Sequence, residues 1–151
     1  MNKILTLALL TATCICLSCR KRNPQTQPEQ TAVNFCETFY NLNYPAAKEW
    51  STPSFLPYLS FLASNISQAH LDQLKGQETA TASVITSSEI TPRSETATII
   101  CQINNALTVN PIDGEIKRIS SLQDTLRLLK ENDKWLVRKD IPQQNERRNH
   151  D

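Results

Sequence analysis

Few side chains in this 151-residue chain have the types and spacing that chemistry requires. The two histidines, His70 and His150, are far apart, and no serine lies in the Gly-x-Ser-x-Gly pattern of hydrolases. Cys36 and Cys101 are also far apart in the sequence, so no group has the ligand spacing of a metal site. His70 and Asp72 are either an acid–base dyad or part of a solvated helix face. The sequence predicts no catalytic residue, metal or cofactor.

The composition excludes several kinds of binding site. Gly76 and Gly114 are the only glycines, whereas phosphate-binding loops and dinucleotide fingerprints need clustered glycines. Sixteen Lys and Arg side chains balance fifteen Asp and Glu side chains, which leaves no electrostatic footprint for nucleic acid. The length allows one folded domain.

The other three cysteines stand at the end of an apolar segment, in the sequence LTATCICLSCRKR. Residues 1–3 carry a positive charge, and residues 4–17 are apolar apart from threonine and cysteine. This segment is shorter than the roughly 20 residues of a membrane-spanning helix. It matches a secretory signal in length and order.

Ser18-Cys19 at the end of this segment resembles the lipobox of bacterial lipoproteins. The resemblance implies that residues 1–18 are a signal peptide and that the Cys19 thiol carries a lipid inserted in the bilayer. The alternatives are an uncleaved anchor and plain secretion. The basic residues 20–22 favour a periplasm-facing anchor in a Gram-negative cell envelope, where they adjoin anionic headgroups.

Two segments have the composition of unstructured chain. Residues 19–29 are rich in proline and glutamine and are predicted to form a tether between the membrane and the folded domain. Residues 142–151 are polar and are predicted to be a disordered tail. The folded domain is therefore expected over residues 30–141.

Helical periodicity dominates the first half of this domain. Residues 26–29 have the form of a capping box, and the helix that follows has an apolar stripe at Ala32, Phe35, Cys36, Phe39 and Leu42. Asn43 either ends this helix or caps a short one over residues 45–50. Further helices are expected from residue 52 or 54 and after an N-cap at Ser67. Gly76 stands where a C-terminal glycine belongs.

After Gly76 the apolar period drops to about two, which predicts strands over residues 82–90, 95–109, 115–131 and 134–140. If Asn132-Asp133 is a two-residue turn, Leu128 lies opposite Val137 and Lys130 opposite Trp135. Helices followed by an antiparallel meander indicate an α+β fold, with the helices on one face of a curved four-stranded sheet.

The segments TAVNFCETFYNLNYPAAKEWSTPSF and LRLLKENDKWLVRKD resemble the nuclear transport factor two-like superfamily, and more closely its small lumazine-binding-like lipoproteins. Ala46, Ala47, Lys134 and Trp135 match its pattern. The resemblance implies a cone-shaped cavity between helices and sheet. The side chains expected to line it, none of them a carboxylate or histidine, are Phe35, Phe39, Leu59, Ile99, Ile103, Leu128, Trp135 and Val137.

These expectations favour an envelope lipoprotein whose domain binds a small apolar ligand or an envelope protein without catalysis. One alternative is an isomerase or hydratase that uses the cone, which needs a buried acid or base. Another is a structural module that dimerises through Leu129 and Leu136 on the outer sheet face.

The resemblance also bears on Cys36 and Cys101, the two cysteines that remain after lipidation of Cys19. In that fold the first helix lies across the sheet, so the two thiols can meet. The alternatives are a disulfide, which an oxidising periplasm would allow, and two separate buried thiols.

Overall fold

The computed structural model describes residues 27–88, 95–110 and 114–139. In these residues four α-helices precede four β-strands, and the helices pack with a curved antiparallel sheet that does not close. The predicted α+β fold is thereby confirmed. The predicted signal peptide, Cys19, most of the tether and the tail lie outside the described residues.

The helices occupy the first half of the described chain. Two 3₁₀ turns, Lys48–Trp50 and Pro53–Phe55, separate α2 from α3. Within the described ranges no helix is both long and apolar enough to cross a bilayer. The helices are α1 (Pro28–Tyr40), α2 (Tyr44–Ala47), α3 (Leu56–Ser64) and α4 (Gln68–Leu74).

Helix α1 differs from its prediction at both ends. Its N-cap is Gln27, which makes no side-chain cap, and residue 26 of the predicted capping box lies outside the described residues. The helix begins at Pro28, which places the last two residues of the predicted tether inside it. At the other end Tyr40 is buried while Phe39 is partly exposed. Leu42 lies beyond the helix at φ 60° and is still buried.

The predicted caps around the short helices are confirmed. The Asn43 side chain accepts a hydrogen bond from the Ala46 amide at the start of α2. Ser67 and His70 form a reciprocal capping box at the start of α4. Gly76 follows α4 with φ 77°, a backbone conformation that favours glycine over residues with a Cβ atom.

The sheet has the strand order β1-β2-β3-β4, in which each strand is antiparallel to the next. Leu128 pairs with Val137 and Lys130 with Trp135, so the predicted register is confirmed. Asn132 and Asp133 both have positive φ, as a tight two-residue hairpin turn requires. The strands are β1 (Thr81–Ser88), β2 (Thr96–Val109), β3 (Ile116–Glu131) and β4 (Lys134–Arg138).

The core lies between the helices and one face of the sheet. Helix α1 contacts all four strands, and its apolar side meets the inner side chains of β2, β3 and β4. On the opposite face Leu129 pairs with Leu136, and both are partly buried. A register irregularity in β1 between Val84 and Thr86 leaves Ile85 exposed. The described fold therefore has one apolar core with α1 at its centre.

Candidate functional site

A cluster of polar side chains lies under the C-terminal end of α1. The Tyr40 hydroxyl donates a hydrogen bond to Asp124 Oδ2 at 2.8 Å, and Lys139 Nζ approaches the same oxygen at 2.7 Å. Asp124 is directly opposite Cys101 in the β2–β3 ladder, so both side chains face α1. The Asp124 side chain is 16% exposed. Helix α1 and the two strands thus bring a carboxylate, a phenol and an ammonium group together.

Tyr40 is held in its neutral form by this arrangement. Burial is the largest effect that raises the pKa of Tyr40, and the charge of Asp124 and the hydrogen bond to it add to the rise. Lys139 also lies 5.2 Å from the centre of the Phe39 ring, in cation–π geometry. Since each group already has a partner inside the cluster, the arrangement holds α1 against β3.

The thiols of Cys36 and Cys101 lie next to this cluster. Both residues are fully buried. Cys36 lies one helical turn before Tyr40, whose partner Asp124 is paired with Cys101 in the sheet. The interaction with the Cys101 side chain is the main cause that raises the pKa of Cys36, and burial reinforces it. The same interaction lowers the pKa of Cys101, although burial and Asp124 act against this. Both are free thiols in this structure, and the expectation that they meet stays a prediction.

The expectation that no carboxylate faces inward is wrong, because Asp124 does. Asp124 precedes Leu126 and Leu128 on the inner face of β3 with the period of two that strands impose. The alternation along β3 therefore already indicated that the Asp124 side chain faces inward. A charged side chain is tolerated there because Tyr40 and Lys139 satisfy it and because the site lies near the rim of the core.

The side chains predicted to line a cavity belong to the hydrophobic core or pack against it. Phe39 is partly buried; the other seven are at most 4% exposed. Phe35 stacks on Phe39 with ring centroids 5.3 Å apart and contacts Phe55 at 6.3 Å. The fully buried members of the set are Phe35, Leu59, Ile99, Ile103, Leu128 and Val137, with Trp135 at 4%. Their role in binding a ligand stays a prediction.

His70 and Asp72 do not form a dyad with each other. His70 Nδ1 accepts a hydrogen bond from the Ser67 amide, which makes it part of the helix cap. Asp72 pairs with Lys75 at 2.7 Å and accepts a hydrogen bond from Gln68. These contacts lower the pKa of Asp72. Both side chains thus serve α4 locally, in agreement with a solvated helix face.

An apolar cleft of about 320 Å³ lies beside the α1–α2 junction and reaches α3 and α4. No titratable side chain is among the seven that line it. They are Asn41, Leu42, Asn43, Pro45, Ala63, Ile66 and Leu71. The sequence did not indicate this cleft, because it depends on the left-handed turn at Leu42 that folds α2 back beside α1.

A second cleft, of about 380 Å³, lies at the end of the sheet where β2, β3 and β4 meet. Of the predicted lining residues it includes Leu128 alone. Arg127 and Arg138, which pair across β3 and β4, make it more polar than the first cleft. Its lining is Thr96, Ala97, Thr98, Arg127, Leu128, Leu129 and Arg138.

Among the described side chains, no group of three or more His, Cys, Asp and Glu residues is arranged to hold a metal ion. No protein-family model, curated protein or solved structure matches this chain. A functional assignment therefore has to be argued from the geometry of the polar cluster, the thiols and the two clefts.

Proposed function

We propose that this protein is a lipid-anchored component of a Gram-negative cell envelope whose domain binds a small apolar ligand without catalysing a reaction. The anchor is the lipid on Cys19, and the domain faces the periplasm. The sequence pattern of residues 1–22 supports the anchor. The nuclear transport factor two-like resemblance fits a ligand-binding role for an α+β domain of this kind.

The apolar cleft is the observation that carries the binding role. Its volume of about 320 Å³ is at the lower end of the range for small-molecule pockets, which is about 300–1,000 Å³. Leu42, Ile66 and Leu71 give it apolar walls, and no lining side chain can donate or accept a proton at neutral pH. Such a site favours burial of apolar surface over acid–base chemistry.

The polar groups of the cleft are already used by the fold. The Asn41 amide donates to the Glu37 and Ala80 carbonyls, and its oxygen accepts from the Ala80 amide. The Asn43 oxygen caps α2. Recognition in this cleft therefore rests on shape and apolar contact, which suits an acyl chain or another small hydrocarbon group.

Binding is tested with N-phenyl-1-naphthylamine, an apolar dye whose fluorescence rises in apolar surroundings. Leu71→Asp puts a charge on the wall of the cleft, and we expect it to weaken dye binding at least tenfold. Ile119→Asp is the matched control, because Ile119 is similarly exposed but lies on β3 outside the cleft. Equal loss in both variants, or no dye binding by the wild type, would refute the ligand proposal.

The anchor is tested separately by replacing Cys19 with Ala and fractionating cells. A lipoprotein loses its lipid label and its processing when the acceptor cysteine is removed, so radiolabelled fatty acid should appear in the wild type alone. If the wild type takes up no label, and the variant stays in the membrane at an unchanged size, residues 1–18 are an uncleaved anchor.

The polar cluster favours an enzyme as the second candidate. Asp124 and Tyr40 share a hydrogen bond on the inner face of the sheet, where an isomerase or hydratase would need an acid or base. Asp124→Asn separates the two functions. It should abolish any turnover found in a screen of carbonyl and alkene substrates, and it should leave dye binding in the apolar cleft unchanged.

A further inference from the structure

Cys36 and Cys101 come from distant parts of the chain and both lie in the hydrophobic core. Cys36 is on the buried side of α1, and Cys101 is in the middle of β2, where it pairs with Val84 on one side and Asp124 on the other. Both residues are 0% exposed, and α1 packs directly on β2. Tyr40, one helical turn after Cys36, is hydrogen-bonded to Asp124, the sheet partner of Cys101. The two cysteines are therefore on facing elements in one part of the core, which is the placement that a disulfide requires.

We propose that Cys36 and Cys101 form an intramolecular disulfide in the mature protein, which joins α1 covalently to the centre of the sheet. The proposal rests on the proposed envelope location, because disulfides persist in the periplasm and are rare in the cytosol. The oxidant is another disulfide, carried by a small molecule or by a protein oxidant.

The reaction is a thiol–disulfide exchange. The thiolate of one cysteine attacks the oxidant's disulfide, which forms a mixed disulfide and releases one thiolate. The second cysteine then loses its proton and attacks the mixed disulfide, releasing the other thiolate. Cys36 and Cys101 together lose two protons and two electrons, and the oxidant is reduced to two thiols.

The complete burial of both residues determines when this exchange takes place. An oxidant cannot reach either sulfur in the folded protein, so the bond forms before α1 has docked on the sheet or during an opening of the fold. The same burial protects the finished bond from reductants. It is therefore a structural crosslink and not a switch that responds to the redox state of the surroundings.

The position of the crosslink connects it to the anchor. Helix α1 begins at Pro28, nine residues after Cys19, and is the first element that a pull on the tether would reach. The disulfide fixes this helix to β2, which is paired with strands on both sides. Force on the tether is then carried by a central strand of the sheet.

The pairing is read directly from the wild-type full chain by peptide mapping. Trypsin leaves Cys36 in the peptide 23–48 and Cys101 in the peptide 94–117, each with a single cysteine. In the unprocessed chain the three N-terminal cysteines fall together in the peptide 4–20, and removal of residues 1–18 leaves Cys19 alone of the three. Protein from the envelope fraction is denatured with iodoacetamide and digested without reduction. We expect the two single-cysteine peptides as one linked species, which separates after reduction.

A refolding experiment separates the pairing from the cellular location. Reduced, denatured full chain is refolded with oxidised and reduced glutathione and mapped in the same way. Alkylated Cys36 and Cys101 after refolding would overturn the pairing, and so would alkylation of both in protein shown to be in the envelope. A third outcome is that the two peptides are linked after refolding, while the protein in cells fractionates with the cytoplasm and has both thiols free. That outcome upholds the pairing and refutes the proposed location.

Stability provides an independent readout. Closing a loop of this length should raise Tm by at least about 10 °C over the reduced protein. The reductant should open the bond rapidly in urea and slowly in buffer, because the native fold covers both sulfurs. In the double variant Cys36→Ser and Cys101→Ser, Tm should not depend on the reductant. Equal Tm values for linked and reduced wild type would contradict a structural role.

Discussion

Replacement of Tyr40 by Phe removes one hydroxyl and leaves the aromatic ring in place. That hydroxyl donates to Asp124 Oδ2 at 2.8 Å, and Tyr40 is 6% exposed, so water has little access to replace it. A hydrogen bond to a charged group contributes about 1.5–3 kcal/mol. We expect the free energy of unfolding at pH 7 to fall by about that amount, while the edge-to-face contact with Phe39 is kept.

The same substitution should change how stability depends on alkaline pH. The folded protein raises the pKa of Tyr40 far above its ordinary value, and it raises the pKa of Tyr44 to about 12, chiefly through burial. The folded state therefore keeps both protons when tyrosines of the unfolded chain, with a pKa of about 10, release theirs. This stability is complete below pH 10 and is lost above it, by about 1.4 kcal/mol per pH unit for each tyrosine.

The assay is urea unfolding at pH 7, 10.5 and 11.5, followed by tryptophan fluorescence. Between the alkaline points the wild type should lose stability more steeply than Tyr40→Phe by up to about 1.4 kcal/mol per pH unit, because the variant lacks one raised group and keeps those of Tyr44 and Cys36. At pH 7, Tyr58→Phe is the control, because no described residue is a hydrogen-bond partner of its hydroxyl. A loss below about 0.5 kcal/mol at pH 7, or equal alkaline slopes, would refute the role assigned to the Tyr40 hydroxyl.

Three further predictions concern single residues of the core and of one turn. Leu128→Ala leaves a cavity at a fully buried position, and urea unfolding should show a free energy of unfolding lower by about 2–5 kcal/mol. A loss below about 1 kcal/mol would mean that the site around Leu128 collapses or is already open. Thr31→Val replaces a buried hydroxyl that has no partner among the described residues, and it should raise the free energy of unfolding by about 1 kcal/mol; a fall would show that the hydroxyl is satisfied. Asp133→Gly relieves a residue at φ 61° in the hairpin turn after Asn132 and should raise Tm by a few degrees, and no rise would argue against the left-handed turn.

The predictions that succeeded rest on local signals. Period-two alternation and the Asn132-Asp133 turn gave the strands and placed Leu128 opposite Val137. The caps at Asn43 and Ser67 are equally local, since each involves a side chain and an amide three residues later. Such features depend on a few neighbouring residues, which a single sequence contains.

The failures occurred where one element meets another. Helical spacing favoured Phe39 as the inner residue of α1, but the angle at which α1 crosses the sheet buries Tyr40 instead. The predicted inner face was built from apolar residues and did not include Asp124. The alternation of side chains along β3 nevertheless places Asp124 on that face. Only a partner 84 residues away in sequence makes that position favourable for a carboxylate.

The sequence by itself determined the class of fold and the strand register, and it is the sole basis of the proposed lipid anchor. Periodicity, turn residues and the order of the N-terminal segments are all short-range properties. The tertiary structure decided what lies together. It placed Cys36 and Cys101 in one core, joined Tyr40 to Asp124 and Lys139, and formed the apolar cleft at Leu42. These contacts depend on how α1 docks on the sheet, and that docking is set by packing among side chains distant in the chain.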